Sequence, residues 1–220
     1  MNIDILLFEN FETLDAMGPA EVFSRFPELY RISCRSLAGG VVTSSQKIGF
    51  VTASFFDSVF DSVSGSVSGG ASNGSVPDPA AGAENVLLIP GGMGTRSLVE
   101  DVRYIAALKK LCEDALYVLT VCTGSMLLAK TGLLDGRQAT TNKIAFEWAS
   151  SQGKNTRWLK SARWVADGKY YTSSGVSAGI DMTLGFIADL RGKATAAEAA
   201  RQMEYVWNED KENDPFALKD

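Results

Sequence analysis

The chain has 220 residues, of which 45% are hydrophobic and 21% are charged, and its formal net charge is −5. These proportions are typical of a globular domain that buries a core without disulfide or metal cross-links. An acidic balance without blocks of Lys or Arg argues against nucleic acid and acidic membrane surfaces as partners. The chain contains no histidine, which excludes Ser-His and Cys-His catalytic sites and every zinc site that needs imidazole.

The distribution of apolar and cysteine residues predicts a cytoplasmic protein. No apolar run approaches the roughly 18–20 residues that cross a bilayer, and the first residues lack the basic start of a secretion signal. The three cysteines, Cys34, Cys112 and Cys122, form neither an even disulfide framework nor a C-x-x-C pair. A reducing compartment is therefore expected.

The first third of the chain predicts strands and a helix. Apolar runs predict strands at 3–8 and 30–37 and strand-like segments within 41–53. Between the first two, Pro19 suits the first turn of a helix over 20–26. From 61 to 85 the sequence is rich in Ser and Gly, and such a segment cannot bury enough apolar surface to offset its ordering entropy. We interpret 61–85 as a mobile insertion in a single domain spanning 1–220.

The remainder of the chain alternates between strand and helix patterns. Strands are predicted at 86–89 and 116–121, and Asp167-Gly168 predicts a hairpin between 163–165 and 170–172. The predicted helices are 101–113, 125–130, 144–152, 180–190 and 194–206. This alternation predicts an α/β layered sheet that is mainly parallel, with an antiparallel hairpin attached. Sites in such sheets form beyond the carboxyl ends of the strands.

The strongest candidate for a reactive group is Cys122, where an apolar strand passes abruptly into a helix. A helix N-terminus favours the thiolate, which is the reactive form, and the amide of Thr123 would point to where an oxyanion could develop. The alternative is that Cys122 is a small buried hydrophobic residue. Position alone leaves both open.

A glycine-rich turn follows the strand at 86–89. Its glycines allow positive φ and close approach of another group, so that the Gly92 amide is a candidate second oxyanion donor. The alternative is a plain strand-to-helix turn. The segment 92–97 lacks the last glycine of a dinucleotide fingerprint, and it lacks the Lys-Ser/Thr of a phosphate-binding loop.

Asp15 follows the first strand. It is either a helix-capping carboxylate or a carboxyl group that faces Cys122 across the crevice and relays protons. The segment 175–179 reads G-x-S-x-G, but the usual base of that motif is missing without histidine. Ser177 is therefore interpreted as a helix cap.

Several spaced motifs together resemble the ThiJ/PfpI superfamily, most closely its isonitrile hydratase branch. The motifs are LDAMGP at 14–19, IPGG at 89–92, VCTGS at 121–125, GLLDGRQATT at 132–141, GVSAGID at 175–181, QMEY at 202–205 and DPF at 214–216. The resemblance implies a flavodoxin-like sheet sandwiched by helices, of the class I glutamine amidotransferase type, with the cysteine on a strained nucleophile elbow. It also implies a homodimer.

The resemblance further implies a cofactor-independent reaction on a small electrophile. Water adds to an isonitrile and gives an N-substituted formamide. Cys122 would attack the isonitrile carbon to form a covalent thioimidate, and Asp15 would exchange protons with the thiol, the carbon and the incoming water. The amides of Gly92 and Thr123 would polarise the bound group. This is nucleophilic catalysis with a carboxylate in place of imidazole.

The chain departs from the family pattern at one position, and other functions of the same cysteine are open. Relatives commonly carry His where this chain has Asn142, which counts against proteolysis and alters the polarity of the site. The same thiol could instead serve a glyoxalase or deglycase that acts on reactive dicarbonyls. A third possibility is a redox sensor, or a ligand-binding domain like those fused to AraC-type regulators.

Overall fold

A computed structural model describes residues 1–55 and 84–217 of the chain. Within them an eight-stranded sheet has the order β3-β4-β2-β1-β5-β6-β10-β9, and β7 and β8 form a separate two-stranded sheet. The strands are β1 (Asn2–Leu6), β2 (Arg31–Ser36), β3 (Gly40–Thr43), β4 (Gly49–Ser54), β5 (Asn85–Ile89), β6 (Tyr117–Val121), β7 (Gln138–Ala139), β8 (Arg157–Trp158), β9 (Trp164–Asp167) and β10 (Tyr170–Ser173).

Seven helices accompany the sheet in the described part of the chain. They are α1 (Thr13–Ser24), α2 (Thr95–Leu98), α3 (Val102–Asp114), α4 (Gly124–Lys130), α5 (Phe146–Ser151), α6 (Ala178–Arg191) and α7 (Lys193–Gln202). Helix α6 packs against α1 and α7, and α3 packs against α4. None of the described helices is both long and apolar enough to cross a bilayer.

The central strands are parallel, and the two edge strands are antiparallel. Strand β1 pairs in parallel with β2 and β5, and β6 pairs in parallel with β5 and β10. Strand β3 runs antiparallel to β4 at one edge, as β9 does to β10 at the other. The hairpin predicted at Asp167-Gly168 is confirmed, with Gly168 at φ 63°. A mainly parallel sheet flanked by helices confirms the predicted flavodoxin-like α/β fold.

The apolar runs in the sequence form strands that helices cover. Strands β1, β5 and β6 each end in four consecutive buried residues, as expected where helices cover a parallel sheet. An aromatic cluster ties α1 and α6 to the sheet: Phe186 contacts Phe23, Tyr117 and Tyr171 edge-on at centroid distances of 5.1–6.1 Å. This packing fixes the sheet from which the candidate site projects.

The structure corrects three predicted boundaries. Helix α1 begins at Thr13, so that Pro19 lies inside the helix and Asp15 lies in its first turn. The last helix ends at Gln202, short of the predicted residue 206. The predicted insertion at 61–85 falls outside the described residues except for its last two, of which Asn85 is the first residue of β5.

Candidate active site

The carboxyl ends of β1, β5, β6 and β10 meet at one edge of the sheet, because these neighbouring strands are parallel. Cys122 follows β6 directly, and it lines a cleft of about 200 Å³ together with Glu12, Arg96, Asn142 and Trp148. Cys122 is only 7% exposed. Its thiol therefore lies at the base of a small cleft.

Cys122 adopts a strained backbone conformation that the surrounding hydrogen bonds hold in place. Its φ is 58°, in the left-handed region that costs a non-glycine residue about 1–2 kcal/mol. Its amide donates to the carbonyl of Ser174 at 3.0 Å. Its carbonyl accepts from the hydroxyls of Ser125 and Thr141 at 2.9 and 3.0 Å. Several hydrogen bonds to neighbouring residues thus hold the backbone of Cys122 in place, and such strain persists only where the surrounding structure holds it in this way.

The elbow also depends on Gly124, where the chain turns into α4. A Cβ at Gly124 would lie 2.4 Å from the carbonyl oxygen of Ile89. Only glycine allows this approach of α4 to the end of β5, so the position of the helix below Cys122 requires it.

Three N–H groups point at the sulfur of Cys122. They are the backbone amides of Thr123 and Val176 and the side-chain amide of Asn142. Asn142 is oriented by its own oxygen, which accepts from the amide of Ala145 at 2.9 Å. The nitrogen of Asn142 therefore faces the thiol, at the position where relatives were expected to carry histidine.

Asp15 lies beside Cys122 and is fully buried. Its Oδ2 accepts from the amide of Gly91 at 2.9 Å, and its Oδ1 has no hydrogen-bond partner of standard geometry within residues 1–55 and 84–217. The capping alternative is wrong, because the N-cap of α1 is Glu12 and the Asp15 carboxyl reaches across to the loop after β5.

Burial sets the protonation of both groups. Loss of solvent raises the pKa of Asp15 from 3.8 to about 7, against the lowering effect of the Gly91 amide. Loss of solvent also raises the pKa of the Cys122 thiol, and the charge of Asp15 adds to the rise. The N–H groups of Thr123, Asn142 and Val176 offset only part of it. Burial therefore opposes the thiolate that the helix N-terminus was expected to favour.

The Gly92 amide has a different partner from the one expected. It donates to the hydroxyl of Thr123 at 3.1 Å, which also lies 3.1 Å from the hydroxyl of Thr95. Gly92 lines the cleft, with φ 124°, but its N–H is free for a ligand only if the Thr123 side chain moves. The Thr123 amide, by contrast, faces the Cys122 sulfur.

Sequence reasoning missed two further contributors to the site. Val176 has φ 36°, rare for a β-branched residue, and it presents its amide to the sulfur. The glycines of the G-x-S-x-G segment were the available signal, but that motif predicted only a helix cap at Ser177. The second contributor is Arg96, which lies over the ring of Trp148, 4.4 Å from its centroid. No sequence motif marked Arg96, which lies three residues after Met93.

The described residues hold no group of three or more His, Cys, Asp or Glu side chains placed to bind a metal ion. The reactive chemistry available in the cleft is that of the thiol, the buried carboxyl and the N–H donors around them.

Comparisons with known proteins identify the family of the chain. The sequence model of the DJ-1/PfpI family matches residues 1–189. The isonitrile hydratase of Pseudomonas putida is 29% identical over 207 residues, covering 94% of this chain and 79% of that protein. Deglycase TK1284 of Thermococcus kodakarensis is 28% identical over 89 residues, covering 40% of this chain and 52% of that protein. The crystal structure of a ThiJ/PfpI family protein from Pseudomonas syringae superposes with a TM-score of 0.72 at 27% identity, covering 94% of this chain and 76% of that one.

Proposed function

Because the chain belongs to the DJ-1/PfpI family, we propose that it is a cysteine-dependent enzyme that adds water to a small isonitrile and releases an N-substituted formamide. The observation that carries the proposal is the buried Asp15 carboxyl beside the Cys122 thiol at the base of the cleft. The similarity to isonitrile hydratase over 94% of the chain supports the choice of reaction.

The first half of the proposed reaction is addition of the thiol to the isonitrile carbon. As the sulfur–carbon bond forms, the ionised Asp15 accepts the thiol proton and then delivers it to the same carbon. The product is a thioimidate, R–N=CH–S, on Cys122, and no proton is lost overall. A carboxyl whose pKa is about 7 is well matched to this exchange near neutral pH.

The second half is hydrolysis of the thioimidate. Asp15 accepts a proton from water as the water oxygen attacks the carbon, and it passes that proton to the substrate nitrogen. The hydroxyl of the tetrahedral adduct then gives up its proton as the formyl C=O forms, and this proton returns through Asp15 to the departing sulfur, which restores the thiol and the ionised carboxyl. The amides of Thr123 and Val176 and the side chain of Asn142 stabilise the departing sulfur. In this proposal Gly92 polarises the bound group once the Thr123 hydroxyl has released its amide.

The size of the cleft supports a small substrate. A volume of about 200 Å³ is below the usual range of pockets for drug-sized ligands.

The amide of Asn142 stabilises negative charge on sulfur but does not act as a base. The arrangement therefore supports addition to a compact electrophile rather than peptide hydrolysis.

Turnover of a simple isonitrile tests the proposal. Formamide production by the wild type is compared with Cys122→Ala and Asp15→Asn, with Cys34→Ala as a matched cysteine control. Cys34 lies in β2, away from the cleft. We expect both site variants to lose turnover and the control to retain it. Full activity in either site variant would reject the mechanism.

A dicarbonyl substrate is the second candidate, and the similarity to Deglycase TK1284 supports it. The same thiol would add to an aldehyde carbonyl to give a hemithioacetal. Methylglyoxal is therefore assayed beside the isonitrile. Lactate formation without formamide formation would favour this alternative, while peroxide oxidation of Cys122 without any turnover would favour a redox sensor.

We further propose that the chain forms a homodimer in the cytoplasm, as the resemblance to the family implies. Light scattering on the purified protein tests the assembly, because one chain has a mass of 23.6 kDa and a dimer would have twice that mass. A mass of one chain at micromolar concentration would contradict it.

A further inference from the structure

The mouth of the cleft carries a positive charge that the proposed reaction does not use. Arg96 lines the cleft with Cys122, and its side chain is exposed. In the described part of the chain its guanidinium forms no ion pair or side-chain hydrogen bond, and it lies over the ring of Trp148. The donors of the guanidinium are therefore available to a ligand.

Trp148 gives this guanidinium a defined position. Stacking on an aromatic ring at 4.4 Å holds the plane of the charged group and leaves its edge N–H donors free. Trp148 belongs to α5, whose N-cap residue, Ala145, donates its amide to Asn142. The cation is thus positioned by the same segment that orients a donor towards the Cys122 sulfur.

The other charge at the mouth, Glu12, is already engaged. Its Oε1 accepts from the side-chain amide of Gln46 at 2.8 Å, and its backbone amide donates to the carbonyl of Gly91. A ligand anion entering the cleft is repelled by Glu12 and attracted by Arg96. The pair of charges therefore orients an asymmetric substrate, with its anionic end towards Arg96.

From these contacts we infer that Arg96, stacked on Trp148, is the specificity-determining residue that binds a carboxylate on the substrate. A planar guanidinium binds a carboxylate through two parallel N–H···O bonds. In a cleft of about 200 Å³ that carboxylate lies only a few bonds from the carbon that Cys122 attacks. The substrate class is a short carboxylate-bearing electrophile. Only the identity of the electrophilic group rests on the proposed function. If that group is an isonitrile, the substrate is a small isocyano acid.

Alkylation of Cys122 tests the anion site without relying on turnover. Iodoacetate and iodoacetamide are close in size, and one carries a carboxylate where the other carries a carboxamide. The ratio of their second-order rate constants at Cys122, followed by mass spectrometry of the Cys122 peptide, measures the preference for the anion. The variants are Arg96→Gln, Arg96→Lys and the control Arg31→Gln, whose side chain is exposed at the amino end of β2, away from the cleft.

We expect Arg96→Gln to lower the iodoacetate rate about tenfold or more, the effect of one charge-assisted hydrogen-bonded pair, while the iodoacetamide rate changes less than about twofold. Arg96→Lys keeps the charge without the planar fork, so its ratio should be intermediate, and Arg31→Gln should leave the ratio unchanged. An unchanged ratio in Arg96→Gln, or an equal fall with both reagents, would overturn the inference.

A parallel assay separates this inference from the proposed function. Isocyanoacetate and its neutral amide are offered as substrates to the wild type and to Arg96→Gln. Preferential loss of kcat/KM for the acid in Arg96→Gln supports both ideas, and equal loss for both substrates overturns the carboxylate site. If the wild type hydrates neither compound while the alkylation ratio still depends on Arg96, the anion site stands and the hydratase function fails.

Discussion

The amide of Gly91 donates to Oδ2 of Asp15 at 2.9 Å and so connects the first turn of α1 to the loop after β5. This contact holds the carboxyl beside the Cys122 thiol. Burial raises the pKa of the thiol and raises that of Asp15 to about 7. The site therefore holds a neutral thiol next to a carboxyl that titrates near neutrality, and the thiol becomes nucleophilic as Asp15 takes its proton.

The first prediction concerns the pH dependence of turnover. Because Asp15 must be ionised to accept the thiol proton, kcat/KM for the isonitrile should rise with pH and level off above an inflection near 7. Asp15→Asn keeps an oxygen that accepts from the Gly91 amide but cannot take a proton. We expect it to lose the inflection and to reduce kcat/KM by about 10²–10⁴-fold. If the inflection near 7 survives in Asp15→Asn, the inflection belongs to another group.

The second prediction concerns stability. The folded pKa of Asp15, about 7, lies above its ordinary value of 3.8, so between these pH values the folded protein binds more protons at this group than the unfolded chain does. The contribution of Asp15 to the free energy of unfolding is fully present below about pH 4. It is lost as the pH rises through about 7, and the loss is on the order of a few kcal/mol.

Urea unfolding at pH 5 and pH 8 checks this sign. Asp15→Asn cannot ionise, so the free energy of unfolding of the variant minus that of the wild type should be more positive at pH 8 than at pH 5. Comparing the two proteins removes the contribution of the other titrating groups, which they share. An equal difference at both pH values would show that Asp15 does not carry a raised pKa.

The third prediction concerns the strained elbow. At φ 58° glycine is unstrained and alanine is not, so Cys122→Gly should be more stable than Cys122→Ala by about 1 kcal/mol. Urea denaturation of the two variants measures the difference. If Cys122→Ala is the more stable of the two, the backbone at this position is not in the left-handed region.

The fourth prediction concerns Asn142. Asn142→Asp keeps the oxygen that accepts from the Ala145 amide, but it replaces the N–H donor facing the sulfur with a second acceptor. The pKa of the thiol should rise further, and alkylation of Cys122 by iodoacetamide at neutral pH should slow by about tenfold or more. Asn85→Asp, at the amino end of β5, is the control, and an equal slowing there would remove the role assigned to Asn142.

Local patterns in the sequence predicted most of the fold. The apolar runs ending at Ile89 and Val121 and the Asp167-Gly168 turn carry their structural signal within a few residues, and the structure has strands and a hairpin there. The two-residue strands β7 and β8 are too short to give a periodic signal. Pro19 was misleading as a helix start, because α1 begins six residues earlier.

The site was predictable in its residues but not in its electrostatics. Cys122 and Asp15 were singled out from strand ends, and the parallel sheet brings them together. The depth of burial that opposes the expected thiolate depends on how the loops after β1, β5 and β10 pack over the elbow, and no local pattern encodes it. The partner of the Gly92 amide likewise depends on a Thr123 side chain that lies 31 positions away.

The most direct test of the proposed catalysis is the mass of the protein quenched in acid during turnover of a small isonitrile. Covalent catalysis predicts a species heavier by the whole mass of the isonitrile, located on the peptide that contains Cys122. It should be absent from Cys122→Ala and should form more slowly in Asp15→Asn. Formamide production by a Cys122→Ala protein, or an adduct that maps to Cys34 or Cys112 instead, would contradict the account.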